Sequence, residues 1–274
     1  MDIILIIKTI VMALVEGITE FLPVSSTGHL IIAGDLINFL DKDKRDVFEV
    51  AIQLAAILAV CWEYRMRLWN VAKGITTEQS SQKFVLNLGI AFLPAAIMGF
   101  LFIKKIKEFL FYPVPVAIAL IVGGVLILWA EKRQHTIRVR EVDDMSPLDA
   151  LKIGCAQCLA LIPGTSRSGA TIIGGLFFGM SRKAATEFSF FLAIPTMFAA
   201  TLYDVIKHRE LFSVDDIGVL AVGSVVTFIS SLLVVRGLIR FVSNHDFSVF
   251  AWYRIGFGAL LLGLTWSGAV SWAS

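Results

Sequence analysis

Charged residues are scarce in this chain: Asp, Glu, Lys and Arg make up 17% of its 274 residues, and the formal net charge is +2. The Lys and Arg residues are scattered in short stretches, with no basic tail and no dense cluster, which argues against nucleic acid as a partner. Cysteine is scarce too. Cys61, Cys155 and Cys158 offer a single C-x-x-C spacing in an apolar stretch. No second ligand pair accompanies it, so these residues read as small packing residues rather than a zinc or redox centre. Strict two-residue alternation of apolar and polar side chains is absent, which excludes a membrane barrel. A small-residue cleavage site is missing as well. The opening stretch from Ile3 to Val15 is interrupted by Lys8 and runs into polar residues at Glu16, so it reads as retained and not as a signal peptide.

What is present in quantity is apolar side chain, 57% of the residues, at a mean hydropathy of +0.79. That excess predicts an all-α polytopic membrane protein, because in lipid a helix satisfies its own backbone polar groups. Apolar segments near 20 residues fall at about 47 to 66, 84 to 104, 114 to 131, 185 to 206, 215 to 238 and 248 to 270, giving six expected transmembrane helices. Two further stretches, about 2 to 36 and 148 to 180, are each broken by a cluster of Pro, Ser, Thr and Gly. Neither arm of either stretch is expected to cross the bilayer, so both are expected to be re-entrant helix-loop-helix segments.

One broken segment followed by three spans occurs twice. A shift of about 140 residues lays Pro23 on Pro163, Ser26 on Ser166, Ile32 on Ile172, Gly34 on Gly174 and Phe48 on Phe188. The chain is therefore read as a single membrane domain, residues 1–274, with repeat halves at about 1–135 and 140–274. Three spans per half is an odd number, so the second copy enters from the opposite face and the two broken segments are opposed, meeting near the midplane. Lys and Arg are more frequent on the side of the linker near 131 to 149, which favours a cytoplasmic linker and outward termini.

The polar residues inside the broken segments carry the chemistry. The first motif runs Glu16-Gly17-Ile18-Thr19-Glu20-Phe21-Leu22-Pro23-Val24-Ser25-Ser26-Thr27-Gly28-His29. Glu16 and Glu20 lie four apart on one helical face, and intramembrane carboxylates mark a functional site unless a wet interface accounts for them. Pro23 ends the helix. Ser25, Ser26, Thr27 and Gly28 then expose hydroxyls and backbone N–H groups suited to phosphate oxygens, although such a run alone is most often a helix cap. His29, beside this cluster, is a candidate nucleophile or acid-base.

The second motif is Pro163-Gly164-Thr165-Ser166-Arg167-Ser168-Gly169-Ala170-Thr171, and Arg167 is its only cation. A guanidinium fork suits phosphate; the competing reading is a static tie to Glu16 or Glu20. Arg254 also falls in an apolar segment but near its helix start, where it is expected to snorkel in a structural role. Together the residues point to a phosphate-bond hydrolase. A divalent ion such as Mg²⁺ fits the pairing of two carboxylates, Glu16 and Glu20, with a pyrophosphate.

The two motifs, EGITEFLPVSSTGH and PGTSRSGAT, resemble the signature regions of bacterial undecaprenyl-pyrophosphate phosphatases of the bacitracin-resistance type, over essentially the whole chain. The resemblance implies hydrolysis of undecaprenyl pyrophosphate to undecaprenyl phosphate and inorganic phosphate in the bacterial inner membrane. That reaction recycles the carrier for peptidoglycan synthesis and confers bacitracin resistance. It also implies that Glu20, His29 and Arg167 are the most essential residues, that Ser26 is a candidate nucleophile, and that Ser166, Ser168 and Thr171 line the phosphate site. Mg²⁺ or Ca²⁺ support and a homodimer are further implications. Spacing does not rank Ser26 against His29.

Two other readings compete. An unrelated lipid phosphatase class pairs a His with an Asp four residues later, and neither His208, followed by Arg209, Glu210 and Leu211, nor His245 supplies that spacing. Transport is the other, because inverted repeats with broken helices are a transporter architecture; it needs no bond cleavage, so phosphate release separates the two.

Overall fold

The computed structural model describes residues 2–133, 136–207 and 216–267. His208 to Leu211 of the competing phosphatase reading lie outside the described residues. Among the described residues the fold is all-α, with no β-strand and one isolated bridge between Val139 and Met180. The first half of the chain gives α1 (Ile3–Thr19), α2 (Ser26–Leu36), α3 (Lys42–Glu63), α4 (Arg65–Gly74), α5 (Gln79–Leu110) and α6 (Pro113–Lys132). The second half gives α7 (Pro147–Gln157), a short 3₁₀ turn, α8 (Arg167–Phe177), α9 (Arg182–Lys207), α10 (Ile217–Val242) and α11 (Ser248–Trp266).

Each expected span recurs as a helix. Five of them, α5, α6, α9, α10 and α11, are long and apolar enough on their own to cross a membrane. The sixth is α3, which runs into α4 through a bend of 74° at Tyr64, so the stretch expected as one segment at 47 to 66 turns sharply before its end.

Local chemistry sets the starts. Asp41 caps α3 by accepting from the Lys44 amide at 3.0 Å. Ser146 and Asp149 form a reciprocal capping box at α7, with Pro147 in the first turn, where its missing N–H costs nothing. Within α5 and α9 the prolines Pro94 and Pro195 sit inside continuous helices.

Both broken stretches consist of two helices around an irregular turn. At 17 residues, α1 is about 26 Å long, shorter than the roughly 30 Å hydrocarbon core, and α2, α7 and α8 have 11 residues each. The caps of the inner helices are unusual. Ser25 precedes α2 at φ 73° and Ser166 precedes α8 at φ 72°, a left-handed conformation that a residue with a side chain adopts only at a cost.

These matching caps lie 141 positions apart, one more than the shift that laid Ser26 on Ser166. Between Pro163 and its cap stands one more residue than between Pro23 and its cap. By backbone conformation Ser166 matches Ser25, and the residues that follow are Arg167 and Ser26.

Packing reciprocates between the halves. Helix α1 packs on α10 while α7 packs on α5, and α3 meets α9 as α6 meets α11. Close approach of α6 and α11 depends on small residues: a Cβ on Gly124 would lie 2.7 Å from the Ala251 carbonyl, and one on Gly258 would lie 2.8 Å from that of Ala117. This scaffold brings the two irregular turns together.

Candidate active site

The two turns touch directly. Ser168, at the start of α8, donates from its hydroxyl to the Leu22 carbonyl in the first turn at 2.8 Å. Arg254 joins them a second time. Its Nη1 donates to the carbonyls of Pro23 at 3.0 Å and Thr165 at 2.9 Å, and its Nη2 donates to that of Gly164 at 3.0 Å. The expectation that Arg254 snorkels toward a surface is corrected here. The side chain is 0% exposed, because unpaired carbonyls at two helix breaks offer the guanidinium better partners than it could reach by extending along α11.

Glu20 is the centre of the polar cluster. Ser26 Oγ donates to Glu20 Oε2 at 2.6 Å, and Arg167 Nη2 donates to Glu20 Oε1 at 3.4 Å. The residues that follow the two caps thus converge on one carboxylate. The Ser26 contact is short, as hydroxyl donors to carboxylates are, whereas 3.4 Å is long for a charge-assisted pair. Arg167 is further held by the Ser189 carbonyl at 3.0 Å and lies 5.9 Å from the Phe21 ring centroid. Its Nε is buried with no partner, so the fork is anchored at one end and unsatisfied at another. A static tie would use a carboxylate bidentately; this Arg does not.

Glu16, one turn before Glu20, is 2% exposed and its Oε2 has no hydrogen-bond partner. The carboxylates of Glu20 and Glu49 and the guanidinium of Arg167 all act on its charge. Glu49 on α3 is a neighbour that the motif reading did not include. Two buried carboxylates, Glu16 and Glu20, beside the one guanidinium of Arg167 call for a further positive charge or a shared proton. Hard oxygen donors at Glu16 and Glu20 suit Mg²⁺ or Ca²⁺. Among the described residues no group of three His, Cys, Asp or Glu residues could hold an ion, so an ion here needs phosphate oxygens or water as additional ligands.

His29 is turned to other partners. Its Nδ1 lies 2.7 Å from the Ser25 carbonyl, which can only accept, so Nδ1 carries the hydrogen. Its Nε2 lies 2.6 Å from the Tyr253 hydroxyl, and in the neutral ring it accepts from that group. The ring stacks on Phe257 with centroids 4.1 Å apart at 5°. Both nitrogens are thus occupied, and neither bonds to Glu20, Ser26 or Arg167.

The remaining hydroxyls divide. Ser166 Oγ caps α8 by accepting from the Gly169 amide at 3.1 Å and meets Ser168 Oγ at 3.0 Å. Ser168 is 0% exposed and Thr171 is 1% exposed. Thr171 Oγ1 sits 2.7 Å from Ser189 Oγ and 2.9 Å from the Arg167 carbonyl. Ser168 thus ties the two turns together and Thr171 bonds to the backbone of Arg167, in the segment where the lining of the phosphate site is expected. Ser25 makes no side-chain cap on α2, so the first amides of that helix, beside the half-buried Ser26 and Thr27, are without a side-chain acceptor from the cap. Sequence reasoning missed Ser189 and Tyr253, on α9 and α11; nothing near either residue in the chain marks it as a partner of the motifs.

Comparison with known proteins bears on the whole chain. A family model described as "Bacitracin resistance protein BacA" matches residues 9–260. A protein of Rhodospirillum rubrum named "Undecaprenyl-diphosphatase 2" is 67% identical over 274 residues, all of both chains. One of Nitrosomonas europaea named "Undecaprenyl-diphosphatase" is 66% identical over all of this chain and 99% of its own, and "Undecaprenyl-diphosphatase 1" of Chromobacterium violaceum is 61% identical over 98% of this chain and all of its own.

Proposed function

The chain belongs to the bacitracin resistance protein BacA family, and we infer from that membership and from the site that it is an integral membrane undecaprenyl-diphosphatase. It hydrolyses the phosphoanhydride bond of undecaprenyl pyrophosphate, a membrane-embedded lipid substrate, to undecaprenyl phosphate and inorganic phosphate. In doing so it serves peptidoglycan synthesis and bacitracin resistance. The observation that carries the chemistry is the Ser26 hydroxyl 2.6 Å from Glu20, with Arg167 on the other carboxylate oxygen.

That arrangement supports Ser26 as nucleophile and Glu20 as its base, since a nucleophile is activated by a base within about 2.6 to 3.2 Å. Glu20 takes the hydroxyl proton as Ser26 Oγ bonds to the terminal phosphorus, and the bridging P–O bond breaks to release undecaprenyl phosphate. Glu20 passes that proton to the departing undecaprenyl phosphate and, a carboxylate again, deprotonates the water that displaces phosphate from the serine, whose oxygen takes the proton back. Arg167 swings its unsatisfied Nε and loosely held Nη2 to the phosphate oxygens, joined by the amino end of α2 with Ser25 and Thr27. His29, hydrogen-bonded to Tyr253, supports the wall of the pocket.

Mg²⁺ or Ca²⁺ is the ion proposed for this site, held by Glu16 and Glu20; when bound it offsets negative charge on the phosphate oxygens. The fit rests on the unpartnered Glu16 oxygen and on hard oxygen donors. The two broken stretches are proposed to be opposed re-entrant segments of an inverted repeat with halves at about 1–135 and 140–274. The reciprocal packing and the matching caps at Ser25 and Ser166 support this. The bacterial inner membrane is the proposed location, and a homodimer the proposed assembly.

The test is phosphate release from undecaprenyl pyrophosphate by the purified protein in detergent. Release is expected; transport would need no bond cleavage, so a folded protein that releases none would exclude the hydrolase.

A further inference from the structure

Arg254 on α11 is fully buried, and its five N–H donors are each used once on a backbone carbonyl. Two of those carbonyls, Leu120 and Ala119, both at 3.2 Å, belong to α6. The other three, Pro23, Gly164 and Thr165, belong to the two helix breaks. No N–H is left over for a phosphate oxygen, and no carboxylate is among its partners. The residue is therefore neither a substrate ligand nor half of an ion pair.

What it does is set by where those carbonyls lie. Pro23 and Gly164 each stand two residues before a cap in the left-handed conformation, Ser25 or Ser166, and Thr165 stands one before. Immediately after the caps come Ser26 and Arg167, the two groups that converge on Glu20. A single nitrogen, Nη1, holds Pro23 and Thr165 at once, so the spacing between the breaks passes through one planar group. A planar guanidinium transmits such a constraint, whereas an ammonium on a flexible stem has three rotatable donors and does not. The neighbouring helix is shaped around it: a Cβ on Gly123 of α6 would fall 2.1 Å from Nη2.

We propose that Arg254 is a positioning residue for the hydrolysis, a carbonyl clamp that fixes Ser26 and Arg167 relative to each other across the two breaks. The inference rests on the phosphatase reading above. It acts through geometry and not through charge, so its loss lowers turnover more than substrate affinity. A misplacement of about 1 Å costs on the order of 100-fold in rate when reacting groups must be aligned.

The experiment uses Arg254→Lys, which keeps the charge and loses the fork, and Gly123→Ala, which keeps Arg254 and crowds Nη2. Both are purified in detergent beside the wild type, with melting and gel-filtration profiles and steady-state phosphate release. The expected result is that each folded variant loses about 100-fold in kcat, with KM within about threefold of wild type. The double variant loses no more than the worse single one, because both changes break the same clamp. Wild-type kcat in either folded variant, a loss confined to KM, or losses that multiply in the double variant would overturn the proposal. Failure of both variants to fold would overturn it too, placing Arg254 in the fold rather than in the site. A wild-type protein that releases no phosphate would instead refute the phosphatase reading on which the proposal stands.

Discussion

Replacing Ser26 with Ala separates the chemical role of that hydroxyl from a packing role. In the folded chain the hydroxyl does one visible thing, donating to Glu20 at 2.6 Å. If that were its whole contribution, its loss would cost what a hydrogen bond to a charged group is worth, about 1.5 to 3 kcal/mol. Spent entirely on the transition state, that range corresponds to roughly 10- to 150-fold in kcat. If Ser26 is the nucleophile, the covalent route disappears. Arg167, the α2 amides and Glu20 then act on water alone, and kcat falls by about 1,000-fold or more, equivalent to about 4 kcal/mol. The assay is single-turnover and steady-state phosphate release from undecaprenyl pyrophosphate in detergent, with the variant's melting profile as the control for folding. A loss of no more than about 150-fold in a folded Ser26→Ala protein would refute the nucleophilic assignment.

Other consequences follow from the same geometry. Glu16→Gln removes a charge whose Oε2 has no partner, so the fold should tolerate it while the Mg²⁺ concentration for half-maximal phosphate release rises; an unchanged Mg²⁺ titration would remove Glu16 from the proposed ion site. Ser168→Ala breaks the direct tie to the Leu22 carbonyl, which keeps the Val24 amide at 2.8 Å, so the loss should be that of one hydrogen bond, about 0.5 to 1.5 kcal/mol in denaturant or thermal unfolding. Stability equal to wild type would show that the breaks are held together without it. Tyr253→Phe removes the donor to His29 Nε2, a neutral hydrogen bond worth about 0.5 to 1.5 kcal/mol, so phosphate release should stay within about tenfold of wild type. Complete inactivity would instead place the His29–Tyr253 pair in the chemistry.

Much of this fold is legible in hydropathy, because a helix in lipid must leave no backbone polar group unpaired and expose no charge over about 20 residues. The expected spans recur at α3, α5, α6, α9, α10 and α11 for that reason. Pro23 and Pro163 mark the breaks equally clearly. Sequence spacing fails where direction matters more than depth. Arg254 lies six residues into α11, about 9 Å along it, a depth that suits either a snorkelling side chain or a buried one. Only the carbonyls of distant breaks decide between them.

The hydroxyls of Ser168 and Thr171 look like phosphate ligands by composition, and spacing shows nothing of their bonds to Leu22 and Ser189, partners 146 and 18 residues away. The bend at Tyr64 leaves no Pro or Gly signature at that residue. Matching prolines lay Ser26 on Ser166, whereas the two left-handed caps, Ser25 and Ser166, lie 141 positions apart. Proximity in sequence makes His29 a candidate nucleophile or acid-base; folding turns its ring toward α11.

The central claim is that the two breaks form one pocket, with Glu20 from the first and Arg167 from the second acting on the same phosphate. The most direct measurement is a double-mutant cycle on kcat/KM for phosphate release, comparing Glu20→Gln, Arg167→Gln and the double variant with wild type, all verified as folded. Residues that act as a unit give strongly non-additive losses. The account predicts that each single variant is nearly inactive and that the double variant is little worse. Wild-type release from either folded single variant, or losses that simply multiply, would contradict it.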